Sequence, residues 1–323
     1  TLGLAEDQII WKYKVEENAA CKDAAEELAD DGCKIIFSNS YGHQSFMEEA
    51  ASQNPEVTFV AMTGDTAAKS GLDNFCNAFT HVFESRYVSG VVAGMKVAEL
   101  IADGKLTDKN YDGENVKIGY VGAWGKDNAE VTGGCDAFAM GVYSVNPDAT
   151  VYIKTTNSWY DPEGEKQAAV ALINEGCDVI GQHCDTPNPQ LAAEEAGVFG
   201  VGYNSDMSKD APKAVLTSTV WNWGAYYTKA VQDLIDGTWT GENYFGGLEE
   251  GLVDISPLSD LCVDGTQEKI DEARAQIESG DWDVFDGVIE CNDGTTVGTE
   301  GEHMSDADIT GNIHWYFKNI VEK

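Results

Sequence analysis

The stretch KIGYVGAWGKDNAEVTGGCDAFAMGVYSVNPDATVYIKTT, residues 117–156, decides the fold class. Its ends, KIGYVGA (117–123) and TVYIKTT (150–156), have the β-branched and aromatic composition of strands. Residues 129–144 between them read as a helix. A strand, a helix and a second strand in that order form a βαβ unit, whose crossover requires parallel pairing.

The same rhythm extends in both directions. Toward the C-terminus it predicts a helix over 162–175, a strand in CDVIGQHC (177–184) and a helix over 188–196, then strands in VFGVGYN (198–204) and AVLTSTV (214–220). Toward the N-terminus it predicts a strand in IIWKYKV (9–15), a helix over 19–31, a strand in KIIFSNS (34–40) and a helix over 44–53. Strands in VTFVAMTG (57–64) and FCNAFTHVF (75–83) and a long helix from 86 complete that series. The polar break LTDKNYDGENV (106–116) separates the two series, so two similar α/β lobes are expected, each a doubly wound parallel sheet. Residues 1–112 with 214–242 are assigned to one lobe, and 113–213 with 243–323 to the other. The final section, with one clear helix over 266–279 and the amphipathic IHWYFKNIV, is expected to wrap across both lobes. The opening LGLAEDQ reads as the end of a helix, so the strand and helix that normally open such a lobe are expected to be missing.

Composition narrows the function. The 323 residues carry a formal charge of −36. Only two arginines are present, Arg86 and Arg274. Such a surface repels nucleic acid, which needs clustered Lys and Arg, and leaves little for clamping phosphate. A ligand should be neutral or cationic, although solubility alone is the simpler reason for the charge. The apolar stretch at 86–104 is interrupted by Lys96 and Glu99 and is too polar to span a bilayer. The eight cysteines form no CxxC and no zinc-like cluster. Most fall in apolar segments and read as buried thiols; Cys262 and Cys291 lie in turn-rich sequence, where a disulfide is open.

In open parallel sheets ligands bind beyond the carboxyl ends of the strands. Residues there include Ser40 and Tyr41, Asp65, Trp124, Trp159, Asp185, Asn204, Asp206 and Trp221. Rings and short polar groups recur, which suits a flat aromatic ligand stacked on indoles and phenols while carboxylates and amides read its edge. Each also has a structural reading. Asp161 opens DPEGEK as a helix cap, Asp206 and Asp185 could cap the segments that follow them, and Tyr226 and Tyr227 fall in the first turn of a helix as core residues. His43 and His183 read as hydrogen-bonded scaffold. No serine elbow, phosphate loop, HExxH or GxGxxG after a strand is present, so no enzyme and no cofactor is expected.

The segments NSWYDPEGEKQAAVALINEGCDVIGQHCDTP (157–187) and GYNSDMSKDAPKAVLTSTVWNWGAYY (202–227) closely resemble the basic membrane protein, or PnrA-like, family of substrate-binding lipoproteins of ABC importers. IIFSNSYGHQSFMEEAASQNPEVTFVAMTG (35–64), RYVSGVVAGM (86–95) and GTWTGENYFGGLEEGLVDISP (237–257) fit the same family. The resemblance implies a type 1 periplasmic-binding fold, with two α/β lobes joined by a multi-strand hinge and closing on a ligand. It implies an extracytoplasmic protein, lipid-anchored through an upstream cysteine, monomeric, and delivering a purine-like ligand to a membrane permease. It places Tyr41, Trp124, Trp159 and Trp221 as stacking candidates, with Asp185 or Asp206 on ring donors. Nucleoside-binding relatives carry Asp and Lys where this chain has Gly224 and Glu249, which favours a nucleobase over a nucleoside. The alternatives are a sensor module of the same fold signalling to a membrane partner, and a nucleoside hydrolase, for which no early aspartate cluster is visible.

Overall fold

A computed structural model of the chain describes residues 2–323. The elements begin with α1 (Ala19–Asp30), β1 (Ile35–Ser38), α2 (Gln44–Gln53), β2 (Thr58–Met62), the short α3 (Ala67–Ser70), β3 (Phe75–Thr80) and the long α4 (Val82–Ala102). They continue with β4 (Tyr111–Asp112), β5 (Asn115–Gly122), α5 (Ala129–Val145), β6 (Ala149–Thr155), α6 (Pro162–Asn174) and β7 (Val179–His183). Then come α7 (Asn188–Ala196), β8 (Phe199–Asn204), β9 (Val215–Trp221), α8 (Trp223–Asp236), β10 (Tyr244–Gly246) and β11 (Val253–Ile255). The chain ends through α9 (Thr266–Glu278), β12 (Ile289–Glu290), β13 (Thr296–Val297), α10 (Asp306–Gly311) and β14 (Ile320–Glu322).

Two compact units result. Unit 1 comprises Thr1–His81, Asn222–Gly246 and Glu250–Leu252; unit 2 comprises Val82–Trp221, Gly247–Glu249 and Val253–Lys323. Unit 1 has a parallel sheet in the order β1-β2-β3-β10. β2 alternates Phe59 and Ala61, which pack with Met47, Ala50 and Ala51 of α2, against Val60 and Met62, which pack with Tyr226 and Ala230 of α8. Because helices cover both faces, the strand is one unbroken apolar run.

Unit 2 has the larger sheet, in the order β11-β9-β8-β7-β5-β6-β14, parallel except for β11 and the short β4 beside β5. Ala169 and Leu172 of α6 and Ala192 and Ala193 of α7 share a core with Val121 and Ile180 of the sheet. A second core joins α4 and α5 to the strands. Those helices nearly touch: a Cβ on Gly90 would lie 2.1 Å from the Phe138 carbonyl oxygen, and one on Gly141 2.1 Å from that of Tyr87.

Four expectations change. Residues 9–15 form no strand. No described strand pairs with them, and a backbone without a ladder partner stays solvated; Trp11 and Tyr13 are 68% and 77% exposed. The strand through 75–83 stops at Thr80, and α4 starts at Val82, whose side chain and that of Phe83 are buried. The units divide after His81 and after Trp221 rather than at 112/113 and 213/214. α4 packs on α5, and β9 lies between β8 and β11, so both belong to unit 2. The C-terminal section from Val253 onward also belongs wholly to unit 2: Ile313, Tyr316, Phe317 and Ile320 join its core and β14 extends its sheet. All eight cysteines are free thiols, Cys262 and Cys291 included.

Candidate ligand site at the strand ends

Unit 2 gathers rings at the carboxyl ends of its parallel strands. His183 closes β7, Tyr203 is the penultimate residue of β8, and Trp221 closes β9. Parallel neighbours lie about 4.8 Å apart, so residues at one level of adjacent strands must pack side by side. The ring centroids of His183 and Tyr203 are 4.5 Å apart, and those of Tyr203 and Trp221 are 6.2 Å apart. Trp159, in the loop after β6, continues the series 6.0 Å from His183. That loop is fixed by the Asp185 amide, which donates to the Trp159 carbonyl at 2.9 Å. It is fixed again by the fully buried Glu165, which accepts from the Asp161 amide at 3.0 Å and the Thr186 hydroxyl at 2.5 Å. Asn157 and Asn204, at the ends of β6 and β8, adopt φ values of 56° and 69°. Asparagine tolerates this left-handed region best among non-glycine residues, and such bends concentrate at binding sites.

Polar groups lie beneath the rings. Arg86 of α4 is 1% exposed. Its Nη1 donates to the Gln182 carbonyl at 2.8 Å, and its guanidinium carbon sits 4.0 Å from the Tyr203 ring centre, a cation–π distance. Its Nε and Nη2, both nitrogens of His183 and the Tyr120 hydroxyl are buried without a hydrogen-bond partner among the described residues. Glycine at 134 makes the room: a Cβ there would lie 2.6 Å from His183 Nδ1 and 3.5 Å from Arg86 Nε. Glu130, in the first turn of α5, brings Oε1 to 3.8 Å from His183 Nε2.

Burial pushes the Glu130 carboxyl up to about 7, against the pull of Arg86 and with a further push from Asp185. Burial, then Arg86, holds His183 well below the usual histidine range, so its imidazole is neutral. The Tyr203 phenol is raised well above its usual value by burial first, then by the charge of Glu130.

The other predicted residues are placed as follows. Trp124 is half-buried against the same core as Trp159, and its indole Nε1 is buried without a partner among the described residues. Asn204 and Asp185 are exposed. Asp161 caps α6, accepting from the Gly164 amide at 3.0 Å. Asp206 caps the short turn after β8, where the Ser208 hydroxyl at 2.6 Å first, then the Ser208 amide and Lys209, hold its carboxyl below the usual range. The α7 cap position is Pro187 rather than Asp185. In unit 1, the Ser40 hydroxyl bonds the Glu17 carboxylate, which also accepts the Gly42 amide at 2.9 Å. Tyr41 is 38% exposed just after β1. Asp65 follows a bend at Thr63 and Gly64, both at positive φ, and its amide is held by Gln44 at 2.8 Å. Tyr226 is core, and Tyr227 packs edge-on against Phe37 at 4.8 Å. His43 is buried with Nε2 3.2 Å from the Val15 carbonyl oxygen.

Arg86, Glu130 and Tyr203 escape the sequence reading, and His183 lies among the rings rather than in hydrogen-bonded scaffold. The one signal for Glu130 is an acid in the first helical turn after a strand end, a pattern that reads equally as dipole complementation. Among the described residues no group of three or more His, Cys, Asp or Glu could hold a metal ion, and no helix is long and apolar enough to cross a membrane.

The profile of ABC transporter substrate-binding proteins of the PnrA-like type matches residues 7–281. The chain belongs to that family. A purine-binding protein of Brucella abortus is 33% identical over 96% of this chain and 81% of its own length. A putative ABC transporter glucose-binding protein of Haloferax volcanii is 31% identical over 81% of this chain and 61% of its own. A solute-binding protein of Conexibacter woesei shares the fold with a TM-score of 0.66 at 19% identity, over 85% of this chain and 86% of that one. This PnrA-like protein is therefore an ABC transporter substrate-binding protein that works outside the cytoplasm. Its family and these relatives are binding proteins rather than enzymes.

Proposed function

We propose that this PnrA-like protein binds a purine-like nucleobase for import. The observation that carries the reading is the run of rings Trp159, His183, Tyr203 and Trp221 at the strand ends of unit 2, with Glu130 and Arg86 beside it. Planar rings with buried polar groups at their edge fit a flat, nitrogen-rich heterocycle, and the Brucella relative's description as purine-binding agrees. Gly224 and Glu249 offer no Asp–Lys pair for ribose, so the base is favoured over the nucleoside. Trp124, Trp159 and Trp221 are the proposed stacking rings of unit 2, with Asp185, Asn204 and Asp206 at the edge; Ser40, Tyr41 and Asp65 are the contacts proposed for unit 1. The permease of an ABC importer receives the ligand.

Calorimetry with adenine, hypoxanthine, adenosine and glucose tests this reading. A base present at about 100 times its Kd should stabilise the fold by about 2.7 kcal/mol, a rise of several degrees in Tm. Trp221→Ala should weaken adenine binding by about tenfold or less, the worth of one stacking face. Glucose binding without purine binding would refute the proposal.

A further inference from the structure

We propose that Glu130 selects the ligand by its hydrogen-bonding sense: the carboxylate accepts N–H groups of the bound heterocycle, so that rings bearing amino or imino donors are taken and rings lacking them are rejected. The inference rests on the purine reading and assigns one residue of that site its task. Three observations support it. The Glu130 side chain is only 7% exposed, yet it makes no hydrogen bond among the described residues. Its Oε1 lies 3.8 Å from His183 Nε2, beyond hydrogen-bond reach. Holding a largely buried carboxylate without protein donors is costly, and a ligand that supplies them offsets the cost.

The surroundings fix which group answers. Arg86 from α4 bonds the Gln182 carbonyl through Nη1 and lies over the Tyr203 ring; its charge favours the ionised carboxylate, but its free Nε and Nη2 make no hydrogen bond to it. His183 from β7 is neutral. Asp185, after β7, is a second acid, and Tyr203 from β8 keeps its phenol proton. No lysine faces Glu130 among the groups that shift it. The carboxylate stands beside a run of mutually tilted rings with its acceptor capacity unspent. A planar ligand held on those rings turns its edge to it, and a charge-assisted N–H bond is the contact that edge can make.

Because the carboxyl of the free protein titrates near 7, binding that needs its ionised form is weak below that pH and strengthens as pH rises. Adenine affinity, measured by calorimetry from pH 5.5 to 8.5, should improve up to about tenfold per pH unit and level off above about pH 7. In Glu130→Gln the profile should be flat. At pH 8 its affinity for adenine should be about 10- to 100-fold weaker, the worth of a hydrogen bond to a charged group. 6-Chloropurine and 9-methyladenine each delete one donor. The one that removes the donor facing Glu130 should lose affinity in the wild type and lose far less in the variant.

Wild-type affinity that is the same for adenine, 6-chloropurine and 9-methyladenine overturns the inference even if the variant does not fold. So does a folded Glu130→Gln protein that keeps both the wild-type affinity and its pH slope; in either case the purine reading survives. A wild-type protein that binds no purine overturns that reading, and this one with it.

Discussion

Gly134 gives the sharpest test of how the site is built. An alanine there places its Cβ 2.6 Å from His183 Nδ1 and 2.9 Å from Cε1. Ordinary contacts between such atoms are about 3.5–4.0 Å, so the imidazole must recede by about 1 Å. It has nowhere open to go, because His183 is fully buried and its ring already lies 4.5 Å from that of Tyr203. The displacement passes to Tyr203, and from there to Trp221. Binding constellations must be held within about 0.5 Å, so adenine affinity in Gly134→Ala should fall by about tenfold or more. Stability should fall by about 0–2 kcal/mol, since overpacking costs about 1–3 kcal/mol and alanine returns about 1 kcal/mol of helix propensity. Gly90→Ala is the contrast. Its Cβ would meet the Phe138 carbonyl oxygen at 2.1 Å and the Gly141 Cα at 3.1 Å. Backbone cannot rotate aside, so α4 and α5 must separate, and the loss should appear in the urea midpoint at the upper end of the overpacking range. The two readouts are calorimetric adenine affinity and urea unfolding. A folded Gly134→Ala protein that binds adenine as tightly as the wild type would refute the assignment of His183 and Tyr203 to the site.

Asp136 is fully buried, with one oxygen accepting the Phe317 amide at 2.8 Å and the other unpartnered. Burial drives its carboxyl well above the usual range, so the folded state binds the proton more tightly than the unfolded state and stability declines as pH rises above the usual carboxylate range. Asp136→Asn keeps the acceptor without the charge; urea unfolding should show a gain of about 1 kcal/mol or more at pH 8 and a shallower decline between pH 5 and 8, and equal slopes would count against it. Glu165→Gln removes one acceptor from a carboxylate serving Asp161 and Thr186. It should cost about 2 kcal/mol in urea unfolding and weaken adenine binding by loosening the loops that carry Trp159 and Asp185. With a formal charge of −36, the fold repels itself at low ionic strength; screening shortens to about 3 Å at 1 M salt, so scanning calorimetry should show Tm rising by roughly 5 °C from 0.05 to 1 M NaCl. A constant Tm would mean that the acids are already neutralised locally.

How much of this was legible in the sequence depended on whether a feature is local. β2 reads as a strand because helices cover both its faces and leave FVAM after Thr58 uniformly apolar. α5 and α6 begin where Asn128 and Asp161 accept amides of the first turn, a signal carried by the sequence itself. IIWKYKV has strand composition but no described neighbour to complete a ladder, and composition cannot report a partner. The polar segment 106–116 resembles an interdomain linker, yet it only returns the chain from α4 to β5 inside unit 2; what fixes α4 there is backbone contact at Gly90 and Gly141, invisible without the helix crossing. Of the site, Trp159 and Trp221 were visible because rings at strand ends stand out. Arg86 and Glu130 were not, since charged residues in helices are read as solvent-facing and only the fold buries them.

The distribution of unsatisfied polar atoms in unit 1 supports the carboxyl ends of its strands as its binding end. Each buried polar atom without a partner costs about 1–3 kcal/mol, a large fraction of a net stability of about 5–15 kcal/mol, so such atoms should be scattered and few unless something repays them. In unit 1 they are not scattered. In unit 1 the side-chain atoms of this kind belong to Ser38 at the end of β1, His43 in the turn that follows, Thr63 and Thr66 after β2, and Thr80 at the end of β3. In unit 2 they include Trp124 after β5, His183 at the end of β7, and Arg86, whose bonded nitrogen reaches Gln182 one residue earlier, but also Tyr120 within β5, Asp136 within α5, Gln190 within α7 and Tyr316. Asn319, beside the amino end of β14, shows that the other end is not free of them. A requirement of folding alone would have no reason to prefer one end of a parallel sheet. A ligand does, because only at the carboxyl ends do the loops diverge to leave a crevice and the amino termini of the following helices point toward it.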